Sequence, residues 1–379
     1  MGFSQGVSGI KAASTSLDVI GNNIANSQTV GFKGSRAEFG DLYAGAVGLG
    51  ARVTGNSQDF SSGSIEQSSR DMDLAINGSG FFRLESGDQV VFSRNGQFTS
   101  DKDGYIVNST GGRLTGYVGD ATGGETAAIK VEKEGMPAKA TGELQASYNL
   151  DSNKKVGDTS TGNATIYDSQ GNSHAVKLDF TKSDNNKWDV KATVDGRQDL
   201  QKSGTIEFDE NGQLKGDGMI DMSFGELGNG TAALTSQLNL KGSTQYARDF
   251  SNINLNQDGY KAGDFVGVSI DEQGQVIGKY ANDKSKVLGT AVLANFSNPN
   301  GLEPAGDNFF KETSASGQPL IGTAGSGTLG KLVTSAKESS NVDMSAELVS
   351  MIVAQRNYQA NSQTIKTQDQ VMQTVVSMR

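Results

Sequence analysis

All 50 glycines of this 379-residue chain lie before residue 341, and the last 39 residues contain neither Gly nor Pro. A segment without helix breakers reads as one long helix, which at 1.5 Å per residue would extend roughly 58 Å. Its predicted N-cap is Asn341 or a neighbouring Ser. Met344, Met351, Tyr358, Ile365 and Met372 recur every seven residues. Leu348 and Val376 fall on the companion seam, with Ile352 one turn beyond Leu348, and Gln355, Ser362 and Asp369 interrupt it. The N-terminus has the same habit: Phe3, Ile10, Leu17 and Ile24 are spaced by seven, with Val7 and Ile20 beside them. Two amphipathic terminal helices are expected, and their stripes fit either contact between copies or packing on one globular core.

Charge separates the ends from the middle. The formal net charge is −10. Residues 1–33 hold Lys11, Lys33 and Asp18, for +1, and residues 341–379 hold three acids and three bases, so the middle carries −11. An acidic surface argues against nucleic acid as a partner, and near-neutral ends remove the repulsion that would oppose packing many copies side by side. The polar helix faces carry Ser, Thr, Asn and Gln rather than Lys and Glu, which also suits contact between copies. Such helices are only marginally stable alone in water and are expected to order on assembly. No run approaches the roughly 18 apolar residues of a membrane span. The N-terminus lacks the basic region, apolar stretch and cleavage site of a secretory signal, so any export is expected to use another route. Without cysteine, disulfides, thiolate zinc sites and a thiol nucleophile are excluded.

Glycine usage is about 13%, roughly double the average, and with the short apolar runs that start at Gly80, Val90, Phe265 and Val287 it makes the bulk β-rich. One turn signature recurs four times: Asp101-Lys-Asp-Gly104, Asp168-Ser-Gln-Gly171, Asp209-Glu-Asn-Gly212 and Asp271-Glu-Gln-Gly274. An Asp opening a type I turn, closed by a left-handed Gly, predicts four hairpins. Asp101 and Asp103 have the spacing of two calcium ligands, but the other oxygens of a calcium loop are missing. His174, the only histidine, is expected half-exposed in a strand, without the nucleophile elbow that a Ser-His-Asp hydrolase would need. The only Trp, Trp188, is expected to serve packing, which leaves a carboxylate pair for sugar cleavage without aromatic platforms. Gly325-Ser-Gly-Thr-Leu-Gly330 matches the dinucleotide fingerprint by letter, lacks a βαβ context, and is expected to be a flexible connection to the last helix. No catalytic residue, cofactor or metal is expected.

Asp18-Val-Ile-Gly-Asn-Asn-Ile-Ala-Asn-Ser-Gln-Thr-Val-Gly-Phe-Lys33 resembles the N-terminal signature of the flagellar axial proteins, the family of rod, hook and hook-junction subunits. Within it Asn22, Asn23 and Asn26 can bond backbone groups where the helix ends, and Gly31 allows a sharp turn before Phe32 anchors the next segment. The segments 73–82, 92–98, 103–107 and 114–117 are similar to the inner β-domain of rods and hooks, and 340–358, Ala360-Asn361 and 365–369 to their C-terminal helix. The runs 258–264, 293–296 and 323–327 also look hook-like.

The resemblance implies a mainly β protein with terminal α-helices. Helices from 1–30 and 341–379 would form a coiled-coil-like core, joined by a connecting segment, 31–70. A discontinuous inner β-domain, 71–144 and 261–340, would carry an outer β-domain insert, 145–260. That large insert favours a hook-type subunit over a shorter distal-rod type. It also implies a structural role: self-assembly into a helical tube that passes torque from a rotary motor to a filament, with export unfolded through the flagellar type III apparatus to the outside of the cell. Implied partners are further copies, the distal rod, the hook cap and hook–filament junction proteins. The residues named on the two seams and at the Asn-rich helix exit would carry assembly. A secreted β-rich carbohydrate-binding or adhesive protein is the rival class, and it leaves the paired terminal heptads without a purpose.

Overall fold

The computed structural model describes residues 2–44, 47–119, 121, 123–228 and 230–378. The N-terminal heptads form α1 (Gly2–Ala25) and the Gly-free C-terminus forms α2 (Met344–Ser377). Between them the described chain is almost entirely strand and turn, so the protein is mainly β with a helix at each end. Two compact units emerge. One comprises Met1–Glu132, Val268–Gly278 and Lys286–Arg379, the other Lys133–Gly267 and Lys279–Ser285.

The cap of α2 is Asp343, not Asn341 or a serine. Its Oδ1 accepts the N–H of Ser345 at 2.8 Å and of Ala346 at 3.2 Å. Asn is as good a cap as Asp by residue type, but the Asn341 side chain is committed elsewhere: it accepts from Gly34 N and donates to Asp59 O, both at 2.8 Å. The Gly- and Ser-rich stretch expected as a connecting segment is largely an antiparallel ribbon, β1 (Ser35–Ala44) and β2 (Val47–Gln58), paired from Ser35↔Gln58 onward with two register shifts.

In the first unit, strands from distant parts of the sequence interleave. Phe81–Ser86 pairs with Gln89–Ser93 and Arg113–Val118, and the later strand Ser285–Asn295 joins both through Leu293↔Phe82 and Thr290↔Tyr117. Phe309–Lys311 pairs with Gln89–Ser93. Two short ladders, Leu74–Asn77 with Lys331–Thr334 and Ile65–Gln67 with Ala336–Glu338, tie the approach to α2 back to the chain that leaves β2. Phe81, Phe92, Phe296 and Phe310 form a buried cluster that Phe60 joins, with ring centroids 4.8 Å apart for Phe92–Phe296 and 5.4 Å for Phe60–Phe81. These are edge-to-face pairs, each contributing about 0.5–1.5 kcal/mol beyond simple burial.

The second unit holds two five-stranded sheets. One is an antiparallel meander beginning Thr159–Tyr167, Ser173–Asp184, Lys187–Val194. The other is built around Glu143–Asp151. Alternation is strict along 159–166, which buries Ala164 and Ile166 in a core shared with Leu144, Phe180 and Leu238. Trp188 is fully buried there, and its Nε1 donates to Gln245 Oε1 at 2.7 Å.

All four Asp-x-x-Gly signatures are hairpin turns of one design. In each, the Asp carboxylate accepts the N–H groups two and four residues on, as at Asp168, where Gln170 N lies at 2.8 Å and Asn172 N at 2.9 Å. The closing glycines have φ between 75° and 89°. The Asp101 carboxylate is thereby engaged by backbone donors. A fifth turn of this kind lacks the Asp: Asn108-Ser-Thr-Gly111, where Asn108 Oδ1 accepts from Thr110 N at 3.2 Å and Gly112 N at 2.7 Å. The Gly325–Gly330 run is a bonded turn rather than a flexible connection, with Gly325 N donating to Gly330 O at 2.9 Å between Leu320–Thr323 and Lys331–Thr334.

Candidate assembly surface

Helices α1 and α2 run antiparallel, and their shared seam is made of small residues. A Cβ at Gly6 would lie 2.8 Å from the Ile365 side chain, and one at Gly9 would lie 2.6 Å from that of Asn361. Ala13 and Ile20 continue the buried stripe on α1, and Ala354 is the buried residue among the described side chains of α2. Positions 6, 9, 13, 16, 20 and 23 alternate steps of three and four, the spacing of a coiled-coil seam. On another side of α1 sits β2, where a Cβ at Gly50 would lie 3.1 Å from Ser8 Cβ.

Asn23 closes the seam and ties three elements together. Its Nδ2 donates to Ser35 O at 2.8 Å and to Glu347 Oε1 at 3.0 Å, and its Oδ1 accepts from Ser35 N at 2.9 Å. Asn26 secures the helix end, donating to Asn22 O at 3.0 Å and accepting from Thr29 Oγ1 at 3.2 Å. Gly31 then turns the chain at φ 70°, and its N–H donates to Glu338 O at 2.8 Å. A Cβ there would lie 2.6 Å from Asn95 N, so only glycine fits.

Beneath this turn lies a charge cluster that heptads and turn signatures do not reveal. Lys33 Nζ donates to Glu338 Oε1 and to Ser61 O, both at 2.6 Å, while Arg94 reaches Glu338 Oε2 at 3.3 Å and Gly78 O at 2.8 Å. Burial pushes the Lys33 ammonium below its ordinary pKa, and Glu338 opposes that shift. The cluster joins the helix exit, the end of the strand Gln89–Ser93 and the approach to α2. Lysine at a motif end usually signals an exposed charge, so only the fold discloses its burial.

Four family models match in chain order: Flagella basal body rod protein over 4–33, Flagellar hook protein FlgE/F/G D1 domain over 75–146, Flagellar basal body protein FlaE D2 domain over 136–260, and Flagellar basal body rod FlgEFG protein C-terminal over 334–378. The flagellar hook protein FlgE of Salmonella typhimurium is 45% identical, and that of Escherichia coli 43%, each aligned over 100% of both chains. The chain belongs to the flagellar hook protein family. A crystal structure of the Helicobacter pylori flagellar hook protein FlgE2 shares the fold, with TM-score 0.56, 14% identity, and coverage of 70% of this chain and 98% of that one. Members of the hook family are structural components of the bacterial flagellum, outside the cell.

In this hook-family chain the expected assembly residues divide into two groups. Ile20, Asn23 and Gly31 are buried, and Val7, Ile10, Leu17, Ile24, Asn26, Phe32, Met351 and Ile365 are half-buried. Phe3, Asn22, Met344, Leu348, Ile352, Tyr358, Met372 and Val376 are exposed. Thus α1 takes the side of α2 that carries Ala354 and Asn361, and the companion seam of Leu348 and Val376 is left outward. Small seam residues explain the difference: a hydrophobic period does not register Gly6, Gly9 or Asn361, and steps of three and four between small residues are the signal that could have found them.

Hydrolytic chemistry finds no support at His174. Both ring nitrogens are engaged by carboxylates, Asp195 at 2.6 Å and Asp168 at 3.2 Å, so neither is open to activate a serine. Among the described residues no group of three or more His, Cys, Asp or Glu is placed to hold a metal ion, and no described helix is long and apolar enough to cross a membrane.

Proposed function

We propose that this chain is the hook subunit itself, polymerising through its terminal helices into a tube that bends while passing torque from the rotary motor and rod to the filament, and that it catalyses nothing. The observation that carries this reading is the outward face of α2. Its inner side is covered by α1, yet Leu348, Val349, Ile352 and Val353 remain about half or more exposed along one stripe. A helix apolar on its solvent side has a second surface to cover, and further copies of a near-neutral helix pair suit it. A head-to-tail contact that does not close yields a helical tube.

In this reading the helix pair forms the inner wall and the β1–β2 ribbon adjusts between neighbours. The distal rod, hook cap and hook–filament junction proteins would meet the two ends of the polymer, and subunits would travel unfolded through the type III apparatus. Electron microscopy of the purified full-length chain should show tubes. Leu348→Asp or Ile352→Asp should abolish them, because a carboxylate buried without a partner is unfavourable by about 3–5 kcal/mol. Tubes formed by a fragment lacking 1–30 and 341–379 would refute the role given to the ends.

A further inference from the structure

In the meander of the second unit, Thr159–Tyr167 lies at one margin and pairs only with Ser173–Asp184, without a register shift. Tyr167 N donates to Thr141 Oγ1 and Tyr167 O accepts from Thr141 N, both at 2.9 Å, so the backbone groups of Tyr167 point away from Ser173–Asp184. Residues along an antiparallel strand alternate sides, so the backbone groups of Thr159, Thr161, Asn163 and Thr165 point the same way. Those groups have no hydrogen-bond partner among the described residues, and all four side chains are exposed. A free edge is ordinarily blunted by charge, proline or a bulge, and Thr159–Tyr167 has none of the three. The charges sit instead on the interior strands, at Lys177, Asp179, Lys187, Asp189 and Lys191, and toward the far margin, at Lys202, Glu207 and Lys215. The nearby margin of the other sheet, Ser251–Gln257, is also uncharged, but its ladder shifts register opposite Ser147 and Tyr148, and such a bulge turns an edge away from further pairing.

We propose that the edge from Thr159 to Thr165 pairs antiparallel with the same edge of a second copy, about a two-fold axis at Gly162, so that one sheet continues through both chains. Thr141 already covers the edge beside Tyr167, and Gly162 is the middle of the stretch that remains free. In that register Thr159 faces Thr165, Thr161 faces Asn163 and Ser160 faces Ala164, and the free N–H and C=O groups of each chain meet those of the other. The strand thus complements itself, and opposed threonines are a favourable cross-strand pair. Charge points to the same occupant. The second unit holds 16 bases and 20 acids, a net of −4, so two copies repel over most of its surface, whereas no carboxylate faces another within the paired stretch. The contact is isologous and closes at two chains, so it is separate from a head-to-tail tube contact and does not depend on it. One strand edge buries far less than the roughly 1,200 Å² of a stable complex, which makes the pairing transient in free chains and calls for covalent trapping.

The chain has no cysteine, so introduced thiols report this contact alone. In the full-length, unpolymerised protein, Thr159→Cys with Thr165→Cys sets two thiols about 20 Å apart along one strand at roughly 3.4 Å per residue, too far to join within a chain. Across the two-fold axis each faces the other at about 5.5 Å between Cα atoms, inside the range of a disulfide. Mild oxidation should lock a dimer through 159-to-165 links about tenfold faster than either single variant cross-links to itself, read on non-reducing gels and by mass spectrometry of the linked peptides. Adding Thr161→Lys, which sets a charge on the edge yet lies beside Asp179 of its own chain, should slow the reaction about fivefold. Urea unfolding followed by Trp188 fluorescence verifies that the second unit of each variant is folded. A folded double variant no faster than the singles would overturn the self-pairing and leave the edge to a strand of another protein. Links joining 159 to 159, an Asn163→Cys variant that cross-links to itself faster than the double variant, or a Thr161→Lys change without effect would overturn it equally.

Discussion

Replacing Glu338 by Gln preserves shape and removes the one anion that holds two buried cations. Glu338 accepts from Lys33 at 2.6 Å and Gly63 N at 2.9 Å on one oxygen and from Arg94 at 3.3 Å on the other, with all three charged side chains at most 2% exposed. The native cluster has one excess positive charge; the variant has two, and Asp59 acts on Lys33 more weakly than Glu338 does. Removing one partner of a buried pair costs about 3–5 kcal/mol, because the other charge stays buried without compensation. Ser61 O and Gly78 O still hold the cations, so a loss of about 4 kcal/mol is expected, which at a urea slope of about 2 kcal/mol per M shifts the midpoint by roughly 2 M. Lys33→Met and Arg94→Met each leave a neutral pair and should cost less than Glu338→Gln. Hydrogen exchange in Leu74–Asn77 and Lys331–Thr334 would follow the first unit in urea, while Trp188 fluorescence reports the second. A midpoint shift below about 0.5 M, or a Lys33→Met variant as unstable as Glu338→Gln, would refute the charge count.

Two further outcomes are expected. Burial disfavours charge on His174, but its bonds to Asp195 and Asp168 prevail and raise its pKa; burial likewise disfavours charge on Asp168, but bonds from Asn172, then His174 and Gln170, outweigh it and bring the carboxyl down to about 2. The His174 contribution is therefore complete below its ordinary pKa of about 6.5 and lost as pH rises through the raised value. That of Asp168 is complete above about 3.9 and lost as pH falls toward its lowered value. The urea midpoint read by Trp188 should fall on both sides of that window, and His174→Gln should flatten the alkaline limb while leaving an acid limb. At the fifth turn, Asn108→Asp should stay within about 0.5 kcal/mol of the parent because it recreates the other four, whereas Asn108→Ala should cost about 1–3 kcal/mol by stranding Thr110 N and Gly112 N; urea unfolding of the first unit distinguishes them.

Local chemistry is the legible part of the sequence. Asp-x-x-Gly foretells four turns because one carboxylate and one left-handed glycine suffice to make each, and the absence of Gly and Pro after 340 foretells α2. Asn108 escapes that signature although its amide oxygen does the same work as a carboxylate. The α1–α2 seam is half legible: Met351 and Ile365 are on its border, but its centre is Gly6, Gly9, Ala354 and Asn361, where closeness of approach replaces hydrophobic bulk. Nothing in 31–70 announces a ribbon, since the described side chains of β1 and β2 bury little on either face and a strand without an apolar side lacks the period-two signal. The cluster of Lys33, Arg94 and Glu338 is illegible for a different reason. Its members are far apart in sequence, and each alone resembles a solvated charge.

The interleaving of strands in the first unit also sets a timetable. Residues 81–118 pair among themselves but complete their sheet only with strands at 285–311, and Lys33 finds its carboxylate only at Glu338. The second unit is nearly one uninterrupted stretch, Lys133–Gly267, and has most of its pairing partners at hand. A chain that emerges N-terminus first therefore keeps the sheet of its opening third incomplete until almost everything else has arrived, because its last strands are separated from it by a long loop. Completion of the first unit thus marks delivery of the whole polypeptide, and a chain stalled before residue 285 would present open strand edges instead of a finished part.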